Sequence, residues 1–274
     1  MNIIYFKSDI GNFGDDLNPW LWEQLFGDFS SYKKDLDFIG IGSILDTRIK
    51  SDNAKLVFGS GVRDFDFDIN EISNLEVSFV RGPISSRLTN NSNYITDAAY
   101  ALRLLPQKNY TKKYKTSIIP YFRHAYQFNW KLFEKFTGIH VIMPTQSVEK
   151  VIEEINQSEN ILAAAMHGAI LADIYRVPWM RVKFSKHGHE SALTSELKWN
   201  DWLGSVDIKD PSIHSFDFNF NQELSKPKQW FALVMMRLKF KNNRFILSSD
   251  KVVKTIDKKM KEAVDQFKMK YKNV

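Results

Sequence analysis

Short apolar runs alternate along this chain with segments of helical periodicity, and that alternation restricts the fold more than any other feature. Ile3–Phe6, Phe38–Ile41, Leu56–Phe58 and Val77–Val80 read as buried strands in the first part. Asn18 to Gly27 reads as a helix, with Asn18 as cap, Pro19 in its first position and Gly27 past its end. A further helix opens at Arg81-Gly82-Pro83. After the polar, basic stretch Gln107–Lys115 the pattern repeats, with strands at Ser117–Tyr121, Ile139–Met143, Ile161–Ala165 and Trp179–Phe184. Helices at Trp130–Phe136, Val148–Ile155 and His167–Tyr175 lie between them. Strands alternating with helices imply parallel sheets. The fold class expected is therefore α/β, with two Rossmann-like domains facing a cleft. Their expected bounds are 1–110 and 111–225, followed by a basic helical tail over 226–274.

Charge is distributed unevenly. The chain of 274 residues carries a net charge of +6. Fourteen Lys/Arg stand against four acids from Lys226 onward, a surplus of ten, so the first 225 residues are net negative by four. The basicity belongs to the tail and does not describe a nucleic-acid cleft. The tail begins with Trp230–Phe240, an apolar segment that leads into alternating basic and apolar residues. Such a segment suits either a helix packed back on the first domain or peripheral contact with an anionic membrane. The longest charge-free stretch around His167, Ile161–Ala172, is too short to span a bilayer. The start, Met1–Lys7, reads as a first strand and not as a signal peptide. There is no cysteine, which excludes disulfides, thiolate nucleophiles and Cys-based zinc sites. A cytoplasmic location fits. His187 and His189 form the only close histidine pair, in a loop read as substrate-facing, and no metal or cofactor is expected.

Ligands of parallel sheets bind at the carboxyl ends of strands, and several chemistry-bearing residues fall there. Met166-His167-Gly168 places an imidazole where a strand turns into a helix, beside unpaired N–H groups and the positive end of the dipole. A histidine there is either a neutral base near pH 7 or a satisfied core residue. Gly168 lets a ligand approach the backbone. Asn12, Gly14, Asp15 and Asp16 lie at another strand-to-helix junction. Their carboxylates suit sugar hydroxyls or a base role, or else simply cap the helix. Arg123 and His124 end a strand, Arg81 and Arg87 lie near a second, and Thr96-Asp97 reads as another polar strand terminus. Arginine with helix N–H groups predicts a small anionic ligand. Gly40-Ile-Gly42 and Gly59-Ser-Gly61 do not form a dinucleotide fingerprint.

Taken together, Gly11-Asn-Phe-Gly-Asp-Asp-Leu-Asn18, Gly59-Ser-Gly61, Val80-Arg-Gly-Pro83, Thr96-Asp97, Met166-His-Gly-Ala-Ile-Leu-Ala-Asp173, Val177-Pro-Trp179 and Lys198-Trp-Asn-Asp-Trp202 resemble the polysaccharide pyruvyl transferase family. The resemblance implies a GT-B-like arrangement of the two domains. It also implies phosphoenolpyruvate as donor, a sugar diol of a bacterial surface glycan, free or lipid-linked, as acceptor, and a pyruvate ketal as product. His167 takes the place of the family's acid/base, helped by Asp15 or Asp16. Donor binding is expected of Arg123, His124, Arg81, Gly168 and Lys183, and acceptor binding of Asn12, Gly14, Asp97 and Trp199. One departure stands out: Ala165 occupies the place, two residues before the histidine, where relatives often carry a donor-holding arginine. A nucleotide-sugar glycosyltransferase of the same architecture and a non-catalytic glycan-binding relative are the rival expectations.

Overall fold

A computed structural model describes the chain except residues 47, 48, 50, 92, 187–190, 220–224 and 273–274, so the expected His187/His189 loop lies outside the described residues. Two parallel sheets form the scaffold. The first contains β1 (Asn2–Ile4), β2 (Leu36–Ile39), β3 (Ala54–Phe58) and β4 (Leu75–Phe79) in that spatial order. The second contains β5 (Ser117–Ile119), β6 (His140–Val141), β7 (Ile161–Ala163), β8 (Trp179–Lys186) and β9 (Ile213–Asn219), in the order β6-β5-β7-β8-β9. Every pairing is parallel. The protein is thus α/β, with sheets of four and five strands that are compatible with Rossmann-like domains. β2, β5 and β7 are buried at every position, as strands covered on both faces must be. The strand β9 was not anticipated, although Ile213-His-Ser-Phe216-Asp-Phe alternates in the manner of an edge strand.

The first helix, α1 (Phe13–Phe26), begins earlier than its Asn-Pro signal suggested, with Asn12 at its cap and Pro19 inside it. Proline has no N–H for the carbonyl one turn back, that of Asp15. The Asn18 side-chain amide supplies the missing donor, at 3.1 Å from Asp15 O. The same side chain also donates to Ile41 O and accepts from Ile41 N at 2.9 and 2.8 Å, which ties the helix to the end of β2. Asn18 is therefore a buried connector and not a cap.

The two halves are joined by helix contacts. The short α2 (Pro83–Leu88) follows β4, and α6 (Ala192–Ser205) follows β8; between them come α3 (Trp130–Thr137), α4 (Val148–Asn156) and α5 (Met166–Ile174). Asp201 of α6 accepts from the amides of Ile84 and Ser85, both at 2.9 Å, and so caps α2 from across the molecule. Its other oxygen takes the Arg81 guanidinium at 3.0 Å and the Ser85 hydroxyl at 2.6 Å. Gly82 is required here, since a Cβ would lie 1.9 Å from the Asp201 carbonyl oxygen.

Two helices close the chain. α7 (Lys226–Lys239) covers the outer face of the second sheet, where Ala232, Leu233 and Met236 join a core with Phe133, Phe184 and Phe216. α8 (Asp250–Tyr271) returns to the first sheet. Its Phe267 inserts among Phe26, Tyr32, Phe38 and Phe58, with ring centroids 4.5 to 5.8 Å apart. Among the described residues no helix is long and apolar enough to cross a membrane.

Candidate active site

A cavity of about 270 Å³ opens between the carboxyl ends of the two sheets. The first sheet supplies the loop after β1 with the start of α1, Gly42–Ile44 after β2 and Arg63 after β3. The second supplies Tyr121–Arg123 after β5, Ala164–His167 after β7, and Arg181–Lys183 within β8. Ser195, Lys198 and Trp199 of α6 complete the lining.

His167 stands in the first turn of α5, directly after β7, with its side chain only 12% exposed. Its Nε2 faces Asp97 Oδ2 at 3.8 Å, and among the described residues neither buried atom has a hydrogen-bond partner. The other carboxylate oxygen of Asp97 is held by the Ala99 amide at 3.0 Å, at the start of a 3-10 segment over Ala98–Leu104. Against the opposite ring nitrogen lies Gly14 of α1, where a Cβ would fall 2.2 Å from His167 Nδ1. The histidine from one half is thus clasped between an aspartate and a glycine from the other. Burial holds its pKa below the ordinary value. The Asp97 charge opposes that shift, while Arg81 and Lys198 reinforce it. A neutral imidazole is the result.

Asp15 and Asp16 have separate roles. Asp16 reaches back to accept from the Asn12 amide at 3.1 Å and closes the start of α1. Asp15 lines the cavity, with the Asn12 side-chain amide donating to it. Burial pushes its pKa up to about 7, against the pull of Lys198 and Asn12. Asp15 therefore keeps its proton to near neutrality while His167, on the wall of the same cavity, sheds one. Two titratable groups displaced in opposite directions are the usual signature of an acid and a base working as a pair.

Five cations line the same space: Arg63, Arg123, Arg181, Lys183 and Lys198. Arg181 is braced by Glu196 through two bonds of 3.0 and 2.9 Å and lies over the Trp199 ring at 4.4 Å. Lys183 shares Glu196 at 2.7 Å. Trp199 is itself buried, tilted against Trp179 and edge-on to Trp202, so it serves mainly as the platform beneath Arg181. Among the described residues, no three His, Asp or Glu side chains group as metal ligands.

Three of the expected donor residues lie elsewhere. Arg81 is fully buried and committed to Asp201 and Ser43, so its charge reaches His167 only through space. His124 is buried edge-on between Tyr121 and Phe184, behind the cavity wall. Gly168 is packed against β5, where a Cβ would meet Ile119 Cδ1 at 3.0 Å, so its smallness serves helix-on-strand packing. Asn12, Asp15, Arg123, Lys183, Trp199 and His167 are brought together. Asp97 and Gly14 contact His167 from behind. Arg63, Arg181 and Lys198 were missed. Each had a weak signal: Arg63 lies two residues beyond Gly61, Arg181 lies within a strand, and Lys198 immediately precedes Trp199.

Fold and cavity together describe an α/β protein with a buried histidine, a buried aspartate and a cluster of cations at the facing ends of two parallel sheets. The chain belongs to the polysaccharide pyruvyl transferase family, whose model matches residues 9–183. It is 35% identical over 216 residues to the succinoglycan biosynthesis protein ExoV of Rhizobium meliloti (strain 1021). That match takes in 76% of this chain and 66% of the relative, a little under two thirds of the latter's length. A solved structure of an uncharacterized protein from Klebsiella pneumoniae subsp. pneumoniae NTUH-K2044 is similar at 15% identity and a TM-score of 0.39, over 79% of this chain and 93% of that one.

Proposed function

We propose that this protein transfers pyruvate from phosphoenolpyruvate to a sugar diol of a bacterial surface polysaccharide, forming a cyclic ketal and releasing phosphate. The observation that carries this reading is the pairing of a neutral His167 and a protonated Asp15 with five cations in one small cavity. Phosphoenolpyruvate bears a carboxylate and a phosphate, and arginines and lysines are the side chains that hold both. Arg123, Arg181, Lys183, Lys198 and Arg63 hold it in this reading. Ala165, where relatives often carry an arginine, lines the same cavity, and Arg123 supplies the charge instead, with Arg181 already paired to Glu196 beside it.

The chemistry has two stages. A first sugar hydroxyl adds to C2 of the enol, giving its proton to His167 as Asp15 protonates C3 to a methyl group. A second hydroxyl then forms its bond to C2 while the C2–O bond to phosphate breaks, and its proton leaves with the phosphate or through the same pair. Atoms and charge balance without any further reactant. In this reading the two sheets are the two domains of a GT-B-like arrangement, with the donor on the second. The acceptor is a lipid-linked glycan reached from the cytoplasmic face of the membrane.

The test is phosphate release from phosphoenolpyruvate by purified protein with lipid-linked and synthetic glycoside acceptors. Acceptor-dependent release with the mass gain of a pyruvate ketal supports the reaction. Thermal stabilisation by nucleotide sugars but not by phosphoenolpyruvate overturns it, and ligand binding without turnover on any acceptor identifies a glycan-binding relative instead.

A further inference from the structure

Helix α7 presents two apolar faces. The inner one, Ala232, Leu233 and Met236, is buried on the second sheet in a cluster that includes Ala164 and Val182, which also line the cavity. The outer one carries Trp230, Phe231, Val234 and Leu238, which are 50%, 62%, 42% and 54% exposed. Residues 230, 234 and 238 are spaced by four, so these side chains form one stripe along the length of the helix. Single exposed apolar residues are ordinary, but four large ones on one helical face are not. The flanks are purely cationic. Between 226 and 249 there are six Lys/Arg and no acid, and Lys226, Lys228, Arg237, Lys239 and Lys241 are exposed beside the stripe. The neighbouring α3 adds exposed Lys131 and Lys135, and its partly exposed Glu134 is turned to His140 at 2.7 Å.

We propose that α7 docks this protein on an anionic phospholipid surface, lying in the plane of the interface. Trp230, Phe231, Val234 and Leu238 enter the acyl boundary, and the flanking cations meet lipid phosphates. The charge pattern selects this occupant. A second copy of the chain would oppose cations to cations, and an apolar protein groove would leave them without partners. An aromatic at the front of the stripe also suits the headgroup level, where indole rings concentrate. The purpose of the docking rests on the lipid-linked acceptor proposed above, but the docking itself does not.

The experiment is vesicle flotation of the full chain on phosphatidylcholine with and without phosphatidylglycerol, comparing wild type with the double variant W230S/F231S. Wild type is expected to float only with phosphatidylglycerol, and the variant to bind about tenfold less. Trp230 is half exposed and meets Phe136 edge-on at 5.6 Å while Phe231 is 62% exposed, so the melting temperature should fall only slightly. Pyruvyl transfer to a water-soluble acceptor should be unchanged, which separates failure of docking from failure of the catalytic reading. The proposal is overturned if wild type does not float, or if the variant floats equally well, which would assign binding to other lysines. A wild-type dimer in light scattering that the variant abolishes, without vesicle binding, would also overturn it.

Discussion

At the scale of single residues, the site depends on how His167 is held. Asp97 stands 3.8 Å from Nε2 with its Oδ2 toward the ring, so it favours the tautomer protonated there and, in the proposed reaction, leaves Nδ1 as the base. Its negative charge also raises the imidazole pKa, partly offsetting burial. Asp97→Asn should therefore move the acidic limb of kcat/KM to lower pH and reduce kcat by about ten- to a hundredfold. A pH profile checks this, since a purely structural role would lower activity without moving the limb. Gly14→Ala places a methyl group 2.2 Å from Nδ1, which forces the ring out of line. Activity should fall steeply and the melting temperature with it, because the methyl also lies 2.9 Å from the His167 Cβ and α1 and α5 must move apart to admit it. Asp15 makes a stability prediction of opposite sign to the usual carboxylate. Its pKa is pushed up to about 7 in the folded state, so the fold favours its protonated form and loses stability as pH rises from about 4 to 7. The displacement corresponds to at most about 4 kcal/mol, and on the order of 2 once screening at the cavity is allowed for. Asp15→Asn should accordingly be inactive but more stable than wild type at pH 8, with no gain at pH 4, as measured by denaturant unfolding.

At the scale of elements, the same residues explain what could be read from the sequence and what could not. Strand-to-helix junctions announce themselves locally, so β7, α5 and the placement of His167 at their junction were legible, and so was the loop carrying Asn12 and Asp15. Partners separated by more than a hundred residues are not visible in this way. Nothing near Arg81 indicates that its guanidinium turns inward to Asp201 on α6, so it looked like a ligand for donor anions. In the same way the Asn18-Pro19 pair resembles a helix start, because the Ile41 backbone that makes Asn18 a buried connector lies in another element. The Asp201 junction invites its own test. Asp201→Ala removes four hydrogen bonds and leaves the Arg81 charge buried without a counter-ion, a change worth about 3–5 kcal/mol. Arg81 and Asp201 replaced together by apolar residues should recover part of that loss, and the comparison of the two unfolding midpoints decides whether the pair itself or the orphaned charge dominates.

At the scale of the whole molecule, the basic C-terminal region divides into two helices with different physical roles. α7 keeps an apolar stripe in solvent, whereas α8 buries its apolar side: Val253, Ile256, Met260, Val264 and Phe267 all face inward, and its lysines are left on the outside. Phe267 completes an aromatic cluster begun by Trp22, Phe26, Phe38 and Phe58 on the first sheet. Arg103 to Asp257, through two bonds of 2.6 and 2.9 Å, fixes the helix near the 3-10 segment that starts at Asp97. The helix thus stabilises the first sheet and backs the element that positions His167. Phe267→Ala should destabilise the protein by about 3–5 kcal/mol through the cavity it leaves. The melting temperature should fall accordingly, and activity at low temperature should weaken as the Asp97 segment loosens. Removal of residues 250–274 should yield a chain that does not fold cooperatively, so such a deletion cannot report on membrane binding. If Phe267→Ala instead melts like wild type, α8 is only lightly docked, and the rigidity around Asp97 must come from its own backbone cap to Ala99.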